Sequence, residues 1–430
     1  MLIDWMKWLS SHSSTEITLM LIGFLLMDGP RYTLSTSLVA IWDWGLDTYR
    51  WFKGTETKTF KQCPSVCAMI VGLNEGDCLR KTLESLVGTY PRLEVVVCDD
   101  GSNDDMSLVA RNFASQHPKL QIQVITRPWR GGKSSALNLA LSATRAEIVV
   151  AVDGDSNLEP DTIWEIVQPF ANPAIGIVSG MVRVRNWWTN ICTWCQAYEY
   201  LQCIFVGRRV SSVLGILAIS SGALSAYRRE ILVRLGGWDV GPGEDLDLAL
   251  RTRKLGYDIS FAQYATCQTE APTKWLSLLK QRFRWEGDCV VRHYIRKHSD
   301  LANVTWKNFR VSNFIIFWSA VIFQLICGLV ILMGFCKLPL REENSHSLYV
   351  LMTFYALSML LELPTLCAII YYSRNRWLDA LTALVIPIMP FYRCAMLMVR
   401  VYANICEIFW RSSFQLKHVP THVRDATWHW

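Results

Sequence analysis

The sequence predicts an α/β domain built on a parallel sheet, with membrane-spanning helices before and after it. Residues 58–300 alternate short apolar runs with helical patterns, whereas long apolar stretches dominate from Thr305 onward. Continuous apolar strands that alternate with helices are typical of parallel sheets covered on both faces. We therefore expect an N-terminal membrane anchor region over residues 1–57, the α/β domain over 58–300, C-terminal transmembrane helices over 301–412 and a tail over 413–430.

The N-terminal apolar stretch, Ile17 to Trp44, is interrupted by Asp28-Gly-Pro-Arg31, so it is either one bent crossing or two half-helices. No small-residue cleavage site follows its first half, which favours an uncleaved anchor over a signal peptide. Basic residues crowd the segment after the anchor, and this asymmetry predicts that the α/β domain is cytoplasmic, at the plasma or inner membrane. These basic residues are Arg50, Lys53, Lys58 and Lys61.

Four apolar runs in the α/β domain have the length of buried strands. Helical spacing of apolar residues fills the connections between them. The predicted strands are Ser65–Val71, Leu93–Cys98, Ile122–Ile125 and Glu147–Val152, and the predicted helices are Asp77–Val87, Ser107–Gln116 and Ser134–Ala143.

Three apolar stretches follow the α/β domain, each close to the roughly 20 residues that a helix needs to cross a bilayer. Phe314–Phe335 carries no charge, Tyr349–Tyr372 carries Glu362, and Leu378–Met398 carries Arg393 with two prolines that predict a kinked or re-entrant helix. Charges inside lipid are costly, so Glu362 and Arg393 either line a cavity or are single charges that snorkel or pair helices. The side of the membrane on which the basic tail lies stays open.

The composition gives no indication of a nucleic-acid-binding protein or of a zinc site. Juxtamembrane Lys and Arg account for the formal net charge of +6, so nucleic acid is not an expected partner. Fourteen cysteines include the lone pair Cys192-x-x-Cys195, but no second ligand pair completes a zinc site. We expect reduced, packed thiols.

Polar side chains follow three of the predicted strands. Asn74-Glu75 follow the first strand, Asp99-Asp100 the second and Asp153-Gly-Asp155 the fourth. Ligands bind beyond the carboxyl ends of parallel strands, so one crevice is expected to collect these groups. The last pair of carboxylates has the spacing of a divalent-cation site for nucleotide phosphates, although Asp-Gly also forms ordinary turns.

Lys133 follows Arg130-Gly-Gly and opens a predicted helix, so a cation and backbone donors could meet a diphosphate there. The segment is not a P-loop, because the first glycine of that motif is missing. The alternative interpretation is a helix start with a solvated lysine.

Two further segments carry candidate chemistry. Glu244 and Asp245 lie in a loop or first helical turn, where they either cap the helix or supply a general base. The spacing of Gln281 and Arg284 places them on one helical face, next to Trp285. A guanidinium suits a leaving phosphate and an aromatic ring suits a sugar, whereas the alternative is an interfacial helix at the bilayer.

Together these segments resemble the processive family-2 glycosyltransferases, the inverting membrane synthases of cellulose, chitin, hyaluronan and poly-N-acetylglucosamine. The matching segments, from about Val66 to Asp288, are LNEG, CDDGS, GGKSSALN, VDGDS, SSGALSAYRRE, GEDLDLALR and QRFRW. The small size and few flanking spans look most like bacterial poly-N-acetylglucosamine synthases. The resemblance implies a GT-A-type, Rossmann-like cytosolic domain that extends a growing β-linked polysaccharide processively, from a UDP-sugar and with Mg²⁺ or Mn²⁺.

On the donor side, the resemblance implies that Glu75 and Asp100 contact the uridine. Lys133 would approach the diphosphate. Asp153 would bind both the nucleotide and the metal ion, and Asp155 would be the more direct metal ligand.

On the acceptor side, the resemblance implies that Asp245 is the catalytic base, which removes a proton from the terminal hydroxyl of the glycan. A single displacement then inverts the anomeric carbon. Ser221 and Gly222 would line the acceptor end. The residues expected to bind the acceptor sugar and the departing UDP are Gln281, Arg284 and Trp285.

Departures from the family pattern leave the product open. Gly243 stands where many poly-N-acetylglucosamine synthases have Thr, a variant also found among chitin-type synthases, so UDP-N-acetylglucosamine is expected but glucan, chitin-like and hyaluronan-like products remain alternatives. A non-processive transferase acting on a lipid is a further alternative, although it usually lacks the Gln281 to Trp285 motif. A channel or scaffold with a sugar-sensing domain is the alternative outside enzymes.

The lipid bilayer is an expected partner, and a small membrane subunit is a candidate partner. The segment Arg424–Trp428 faintly resembles a tail of several relatives that folds toward the nucleotide.

Overall fold

The computed structural model describes residues 2–13, 33–53, 63–239, 243–302, 310–323, 326 and 344–411. The Asp28-Gly-Pro-Arg31 interruption, most of Phe314–Phe335 beyond Phe323 and the segment Arg424–Trp428 lie outside these residues. The expectations for them stay predictions, as do the boundaries of the four regions.

Eight strands and fifteen α-helices form the described part of the chain. The strands are β1 Val66–Gly72, β2 Leu93–Asp99, β3 Gln121–Thr126, β4 Ile148–Asp153, β5 Asn157–Leu158, β6 Ile175–Val184, β7 Leu224–Arg228 and β8 Asp258–Thr269. The helices are α1 Leu2–Ser11, α2 Ser35–Lys53, α3 Gly76–Glu84, α4 Met106–Gln116, α5 Lys133–Ser142, α6 Thr162–Val167, α7 Ile191–Tyr200, α8 Gly207–Val213, α9 Arg229–Arg234, α10 Glu244–Lys254, α11 Trp275–Gly287, α12 Val311–Trp318, α13 Asn344–Tyr372, α14 Arg376–Thr382 and α15 Met389–Trp410. Short π-helical and 3₁₀ segments join some of them: Leu201–Val206, Asp288–Lys297, Ser319–Phe323, Gln168–Ala171, Ser299–Ala302 and Ala383–Ile388.

The strands form one sheet in the order β3-β2-β1-β4-β7-β6-β8-β5. The four strands predicted from the sequence are confirmed to be parallel neighbours. The second half of the sheet is mixed, because β7 runs antiparallel to both β4 and β6. The expectation of a parallel sheet therefore holds for β1 to β4 and again for β6 with β8, whereas β7 with β4, β7 with β6, and β5 with β8 are antiparallel.

Both faces of the sheet are covered, because β1 is buried along its whole length and sends alternate side chains to opposite sides. On one face, Ile70 packs in a cluster with Leu79 of α3 and other apolar residues. On the other face, Met69 belongs to a cluster that includes Leu137 of α5 and extends to Tyr372 of α13. The C-terminal helices therefore share a continuous core with the α/β domain.

Within the described part of the chain, two C-terminal segments are long and apolar enough to span a membrane: Leu348–Tyr372 and Arg376–Trp410, each with a mean hydropathy of 1.7. The first agrees with the predicted stretch Tyr349–Tyr372. The second extends well beyond Leu378–Met398, and its helix tightens to a 3₁₀ turn where Pro387 has no N–H to donate. The charged helix α2 is not among these segments, so the N-terminal membrane anchor stays a prediction.

Glu362 and Arg393 pair with one another. Tyr198 of α7 donates a hydrogen bond to Glu362 Oε2 at 3.1 Å, and Arg393 Nη2 donates to Gln202 Oε1 at 2.9 Å. Of the two interpretations of these charges, pairing between helices is therefore the one that the structure supports. Each charge is neutralised where water is scarce.

The turn between α13 and α14 lies against the α/β domain. Its Arg374 pairs with Asp161 and, at 2.6 Å, with Glu165 of α6. Nearby, Arg183 of β6 donates two hydrogen bonds, of 2.7 and 2.9 Å, to the carboxylate of Asp379. This basic turn therefore lies on the same side of the C-terminal helices as the α/β domain.

Every cysteine whose side chain the structure describes is a free thiol. Burial raises the pKa of Cys195 to about 11, and burial also raises the pKa of Cys192. Cys192 and Cys195 are packed, as the sequence predicts, whereas Cys203 and Cys367 are exposed.

Candidate active site

The polar strand ends meet at one edge of the sheet. Gly72 of β1 lies level with Asp99 of β2, and Val71 lies level with Asp153 of β4. Parallel strands in this register bring their carboxyl ends together, so the turns after β1, β2 and β4 line one crevice. The predicted gathering of carboxylates is confirmed.

Glu75 lies against the Asp153-Gly-Asp155 turn. Its Oε2 is buried and has no hydrogen-bond partner among the described residues, and a Cβ on Gly154 would lie 2.0 Å from it. Burial, and then the charges of Asp155 and Asp153, raise the pKa of Glu75 to about 7. Burial and Asp153 also raise the pKa of Asp155. The turn therefore crowds three carboxylates, an all-oxygen set of the kind that hard divalent cations prefer.

Asp100 holds the glycine turn that starts α5. Its Oδ1 accepts hydrogen bonds from Gly131 N at 2.9 Å and Arg127 Nη1 at 3.0 Å, and its Oδ2 accepts one from Gly132 N at 2.8 Å. Gly101 permits this close approach, because a Cβ there would lie 2.6 Å from the opposite backbone. Asp100 thus shapes the turn and keeps one lone pair of Oδ2 for a ligand.

Lys133, the first residue of α5, lies among the acidic groups. Its Nζ donates to Asp153 Oδ1 at 2.6 Å and to the carbonyl oxygen of Gly222 at 3.2 Å, and lies 3.9 Å from Glu244 Oε1. Burial alone would lower the pKa of Lys133, but the charges of Asp153 and Glu244 raise it on balance. The ammonium therefore stays charged beside the crevice.

Glu244 and Asp245 open α10, which confirms their predicted place in a first helical turn. Gly243 enters the helix with φ 77°, a left-handed conformation that glycine adopts readily. Asp245 Oδ1 accepts a hydrogen bond from the backbone N of Leu246 at 2.8 Å. Burial raises the pKa of both carboxyls, that of Glu244 to about 7. A raised pKa makes Asp245 a stronger proton acceptor than an ordinary aspartate.

Gly222 lies between the lysine and the expected base. A Cβ on Gly222 would be 3.6 Å from both Lys133 Nζ and Asp245 Oδ2, so a side chain there would fill the space between them. Ser221 is held through its backbone, since its N donates to Ser225 Oγ at 2.7 Å and its carbonyl accepts from the same hydroxyl at 2.8 Å. The structure thus brings Gly222 and the chain at Ser221 together with Lys133 and Asp245.

Arg208 of α8 is a cation of this site that the sequence analysis did not find. Its Nη1 donates to Ser179 Oγ at 2.7 Å, and no described carboxylate forms an ion pair with it. Burial lowers the pKa of Arg208, while the charge of Asp245 opposes this effect. Reciprocally, Arg208 is among the charges that lower the pKa of Asp245 against the effect of burial. No motif surrounds Arg208, so the sequence offered no signal.

Asp247 lies two residues after Asp245 on α10, in a different environment. It is 1% exposed, its Oδ2 accepts from Arg251 Nε at 2.7 Å, and its Oδ1 lies 2.8 Å from both Lys297 Nζ and His298 Nε2. Burial alone would raise the pKa of Asp247, but the hydrogen bond with His298 and the two cations hold it well below its usual range. By distance Asp247, His293 and His298 could share a metal ion. Because Arg251 and Lys297 already neutralise the carboxylate, a structural ion cluster fits better.

The three predicted residues of α11 are on one helix, as their spacing requires. Gln281 Oε1 is buried and has no hydrogen-bond partner among the described residues, Arg284 is exposed, and Trp285 is 41% exposed. Among the described residues, no hydrogen bond or ion pair joins these side chains to the groups at the sheet edge. Arg282, which the sequence analysis passed over, is the buried cation of this helix and lies 4.4 Å from the centre of the Trp285 ring.

The architecture defines the class of protein. The mannosyltransferase PcManGT from Pyrobaculum calidifontis, solved in complex with GDP-Man and Mn²⁺, superposes with a TM-score of 0.60 at 23% identity, over 90% of this chain and 98% of its own. The chain therefore has the GT-A-type fold, as predicted. Residues 64–287, just over half of the chain, match glycosyltransferase-like family 2. The protein belongs to this family and is a glycosyltransferase.

The chain is also similar to curated proteins that include polysaccharide synthases. The poly-β-1,6-N-acetyl-D-glucosamine synthase of Staphylococcus epidermidis is 27% identical over 264 residues, and the match covers 57% of this chain and 63% of that protein. The hyaluronan synthase of Streptococcus pyogenes is 28% identical over 313 residues, covering 67% of this chain and 74% of that protein. The probable glycosyltransferase YdaM of Bacillus subtilis is 30% identical over 235 residues, covering 53% of this chain and 56% of that protein. The predicted resemblance to family-2 polysaccharide synthases is confirmed.

Proposed function

We propose that this protein extends a β-linked polysaccharide by inverting transfer from a UDP-sugar, with UDP-N-acetylglucosamine as the expected donor. The observation that carries the proposal is the cluster at the sheet edge, where charged Lys133 lies between Asp153 and Glu244 and beside Asp245. Such a cluster can receive a diphosphate and a proton in one crevice. The similarity of the chain to poly-N-acetylglucosamine and hyaluronan synthases supports polymer synthesis as the outcome.

On the donor side, Lys133 and the start of α5 supply positive charge for the diphosphate. Asp100 keeps the glycine turn in place for this contact and offers its remaining lone pair to the nucleoside. Glu75, on the neighbouring turn, would lie between the nucleoside and the cation site. The donor would therefore rest across the ends of β1, β2 and β4.

The residues of the Asp153-Gly-Asp155 turn fit Mg²⁺ or Mn²⁺. Asp153 and Asp155 would hold the ion, and the buried, unpaired Oε2 of Glu75 is an additional oxygen at the same turn. Bound there, a divalent cation would stabilise the charge that develops on the departing UDP.

The chemical step needs only one base. Asp245 takes the proton of the acceptor hydroxyl, and the freed oxygen forms a bond to the anomeric carbon while the bond from that carbon to UDP breaks. UDP leaves with the electron pair, and the single displacement turns an α-linked donor into a β-linked product. Gly222 leaves room for the reacting hydroxyl between Lys133 and Asp245, because any side chain there would occupy that space.

The acceptor glycan would lie along α11. Trp285 offers an exposed ring face for a sugar, Gln281 offers a buried acceptor oxygen, and the exposed guanidinium of Arg284 suits the departing diphosphate. We propose that Ser221 lines the path of this glycan toward Asp245.

We further propose that the catalytic domain is cytoplasmic and that the product crosses the bilayer beside the C-terminal helices. Leu348–Tyr372 and Arg376–Trp410 have the length for spanning, and the basic turn between them pairs with the catalytic domain through Arg374. A basic turn on the catalytic side agrees with the excess of Lys and Arg in cytoplasmic loops.

The test is the product made by the purified full chain in lipid vesicles. We expect UDP-N-acetylglucosamine with Mg²⁺ or Mn²⁺ to give a polymer, sized on gels and identified by linkage analysis, and Asp245→Asn to give none. Formation of only a monoglycosylated lipid would refute processive synthesis. A hyaluronan-like polymer is the second candidate, favoured by the larger share of the chain that matches hyaluronan synthase, and a parallel reaction that adds UDP-glucuronate would reveal it.

A further inference from the structure

We infer that Arg282 is a positioning residue for the acceptor site: it holds the ring of Trp285, and its own position is set by Tyr392 of helix α15 through Glu199. The role of Trp285 as a sugar platform rests on the proposed function. The three-residue junction itself is a property of the structure and is testable without turnover.

Arg282 is held firmly although it lies beside an exposed motif. It is 8% exposed, and its Nη2 donates to Glu199 Oε2 of α7 at 2.5 Å. Its guanidinium lies 4.4 Å from the centre of the Trp285 ring and 5.8 Å from that of Tyr200. A guanidinium stacked on an indole in a water-poor environment is a substantial attraction. Arg282 therefore holds one face of the Trp285 ring in place, and the rest of the ring stays available for a sugar.

Glu199 receives a second donor from a different part of the chain. The hydroxyl of Tyr392, near the start of α15, donates to the same Oε2 at 2.8 Å. Tyr392 is itself buried, with its ring 6.2 Å from that of Trp275 at the start of α11. A shift of α15 would therefore move Glu199 or break its hydrogen bond, and Arg282 would follow.

A second contact between the same two helices provides the comparison. Arg400 Nε of α15 donates to Glu286 Oε1 of α11 at 2.8 Å, one residue beyond Trp285. This pair attaches α11 to α15, and among the described residues the cation over the indole is Arg282, not Arg400. It separates general helix attachment from specific positioning of the ring.

The test uses full-length protein in nanodiscs, labelled with 5-fluorotryptophan. The ¹⁹F resonance of Trp285 is assigned from its loss in Trp285→Phe. Arg282→Lys keeps the charge opposite Glu199 but loses the planar stacking, and Tyr392→Phe removes only one hydroxyl. We expect both to shift the Trp285 resonance, whereas Arg400→Gln leaves it in place.

Steady-state kinetics distinguish an effect on acceptor binding from an effect on binding of the UDP-sugar. We expect Arg282→Lys to raise the KM for an acceptor oligosaccharide roughly tenfold, with the KM for the UDP-sugar unchanged, as loss of a desolvated cation–π contact allows. Tyr392→Phe should raise the acceptor KM by about twofold to fivefold, the size of one lost hydrogen bond.

Three outcomes would overturn the inference: an unmoved Trp285 resonance in both variants, an equal shift in Arg400→Gln, or a parallel rise in the KM for the UDP-sugar. If the wild-type protein forms no polymer, the proposed function fails, and the ¹⁹F spectra alone decide whether Arg282 positions Trp285.

Discussion

Asp245 and Asp247 are two residues apart on α10, yet their surroundings have opposite electrostatic character. Asp245 is partly buried near Glu244, with Lys133 shared among several acids, and its pKa is raised. Asp247 is buried between Arg251 and Lys297 with a histidine hydrogen bond, and its pKa is lowered. Burial acts in the same direction on both carboxylates, so the difference comes from their partners.

The comparison shows how one helix can serve chemistry and stability together. A carboxylate surrounded by an excess of cations is fixed in its charged form and fastens the helix. A carboxylate in a cluster short of positive charge retains affinity for a proton, which general-base catalysis requires. We infer that Asp247 fixes α10 so that Asp245 can hold its position at the crevice.

The largest expected effect comes from removing the charge of Asp245. Asp245→Asn keeps the shape but not the base, so we expect kcat to fall by about 10²- to 10⁴-fold or more. The Kd for UDP, measured by calorimetry, should stay close to that of the wild type, because Lys133 and the glycine turn are untouched. Activity like that of the wild type would remove Asp245 from the role of base and end the contrast with Asp247.

The same substitution at Asp247 should act on folding. Asp247→Asn removes the buried carboxylate that Arg251 and Lys297 share, so we expect the free energy of unfolding to fall by about 3–5 kcal/mol. The measurement is the Tm of the detergent-solubilised chain. Glu84→Gln is the matched control, since it breaks the exposed pair with Arg80, and it should cost less than about 1 kcal/mol. An unchanged Tm for Asp247→Asn would show that the cluster is not structural.

The contrast between the two aspartates also marks the limit of what the sequence predicts. Strand-end carboxylates could be placed together because β1, β2 and β4 are apolar runs whose parallel register is fixed by burial on both faces. Asp245 and Asp247 have equal local signals in the sequence, because they are two acids in one helical turn. The difference in electrostatic surroundings between Asp245 and Asp247 depends on Lys297 and His298. These two residues are far along the chain and come close only in the folded protein.

The strand order of the sheet shows the same limit of prediction from sequence. The second half of the sheet was not predicted because β7 pairs with both β4 and β6 in the antiparallel direction, which requires long-range contacts without local periodicity. Arg208 and Arg282 were passed over for a related reason. Their significance lies in partners from other elements, Ser179 for the first and Glu199 with Tyr392 for the second.

Glu75 provides a further test of the contrast between Asp245 and Asp247, because it belongs to the acid-rich crevice that contains Asp245. Its unpaired Oε2 faces the Asp153-Gly-Asp155 turn. We expect Glu75→Gln to weaken Mn²⁺ binding by about tenfold, the lower end of what a lost supporting ligand costs. Titration of the full chain with Mn²⁺ followed by electron paramagnetic resonance measures this without turnover. A loss of UDP affinity measured without metal, with Mn²⁺ binding intact, would instead make Glu75 a contact of the nucleoside.

The smallest expected effect concerns the one cation close to Asp245 that forms no carboxylate pair among the described residues. Asp245 works as a base only when deprotonated, so kcat/KM is lost as pH falls through its raised pKa. Arg208 lowers that pKa, partly offsetting burial, so Arg208→Gln should raise it and move the acid limb of the pH profile to higher pH. On the plateau above the acid limb we expect less than a tenfold change in kcat/KM, because Asp245 is deprotonated there in both proteins. Arg111→Gln removes the same charge from an exposed helix position and should leave the limb in place. A limb that stays fixed in Arg208→Gln would show that Arg208 does not govern the proton affinity of Asp245, and that other neighbouring charges set its contrast with Asp247.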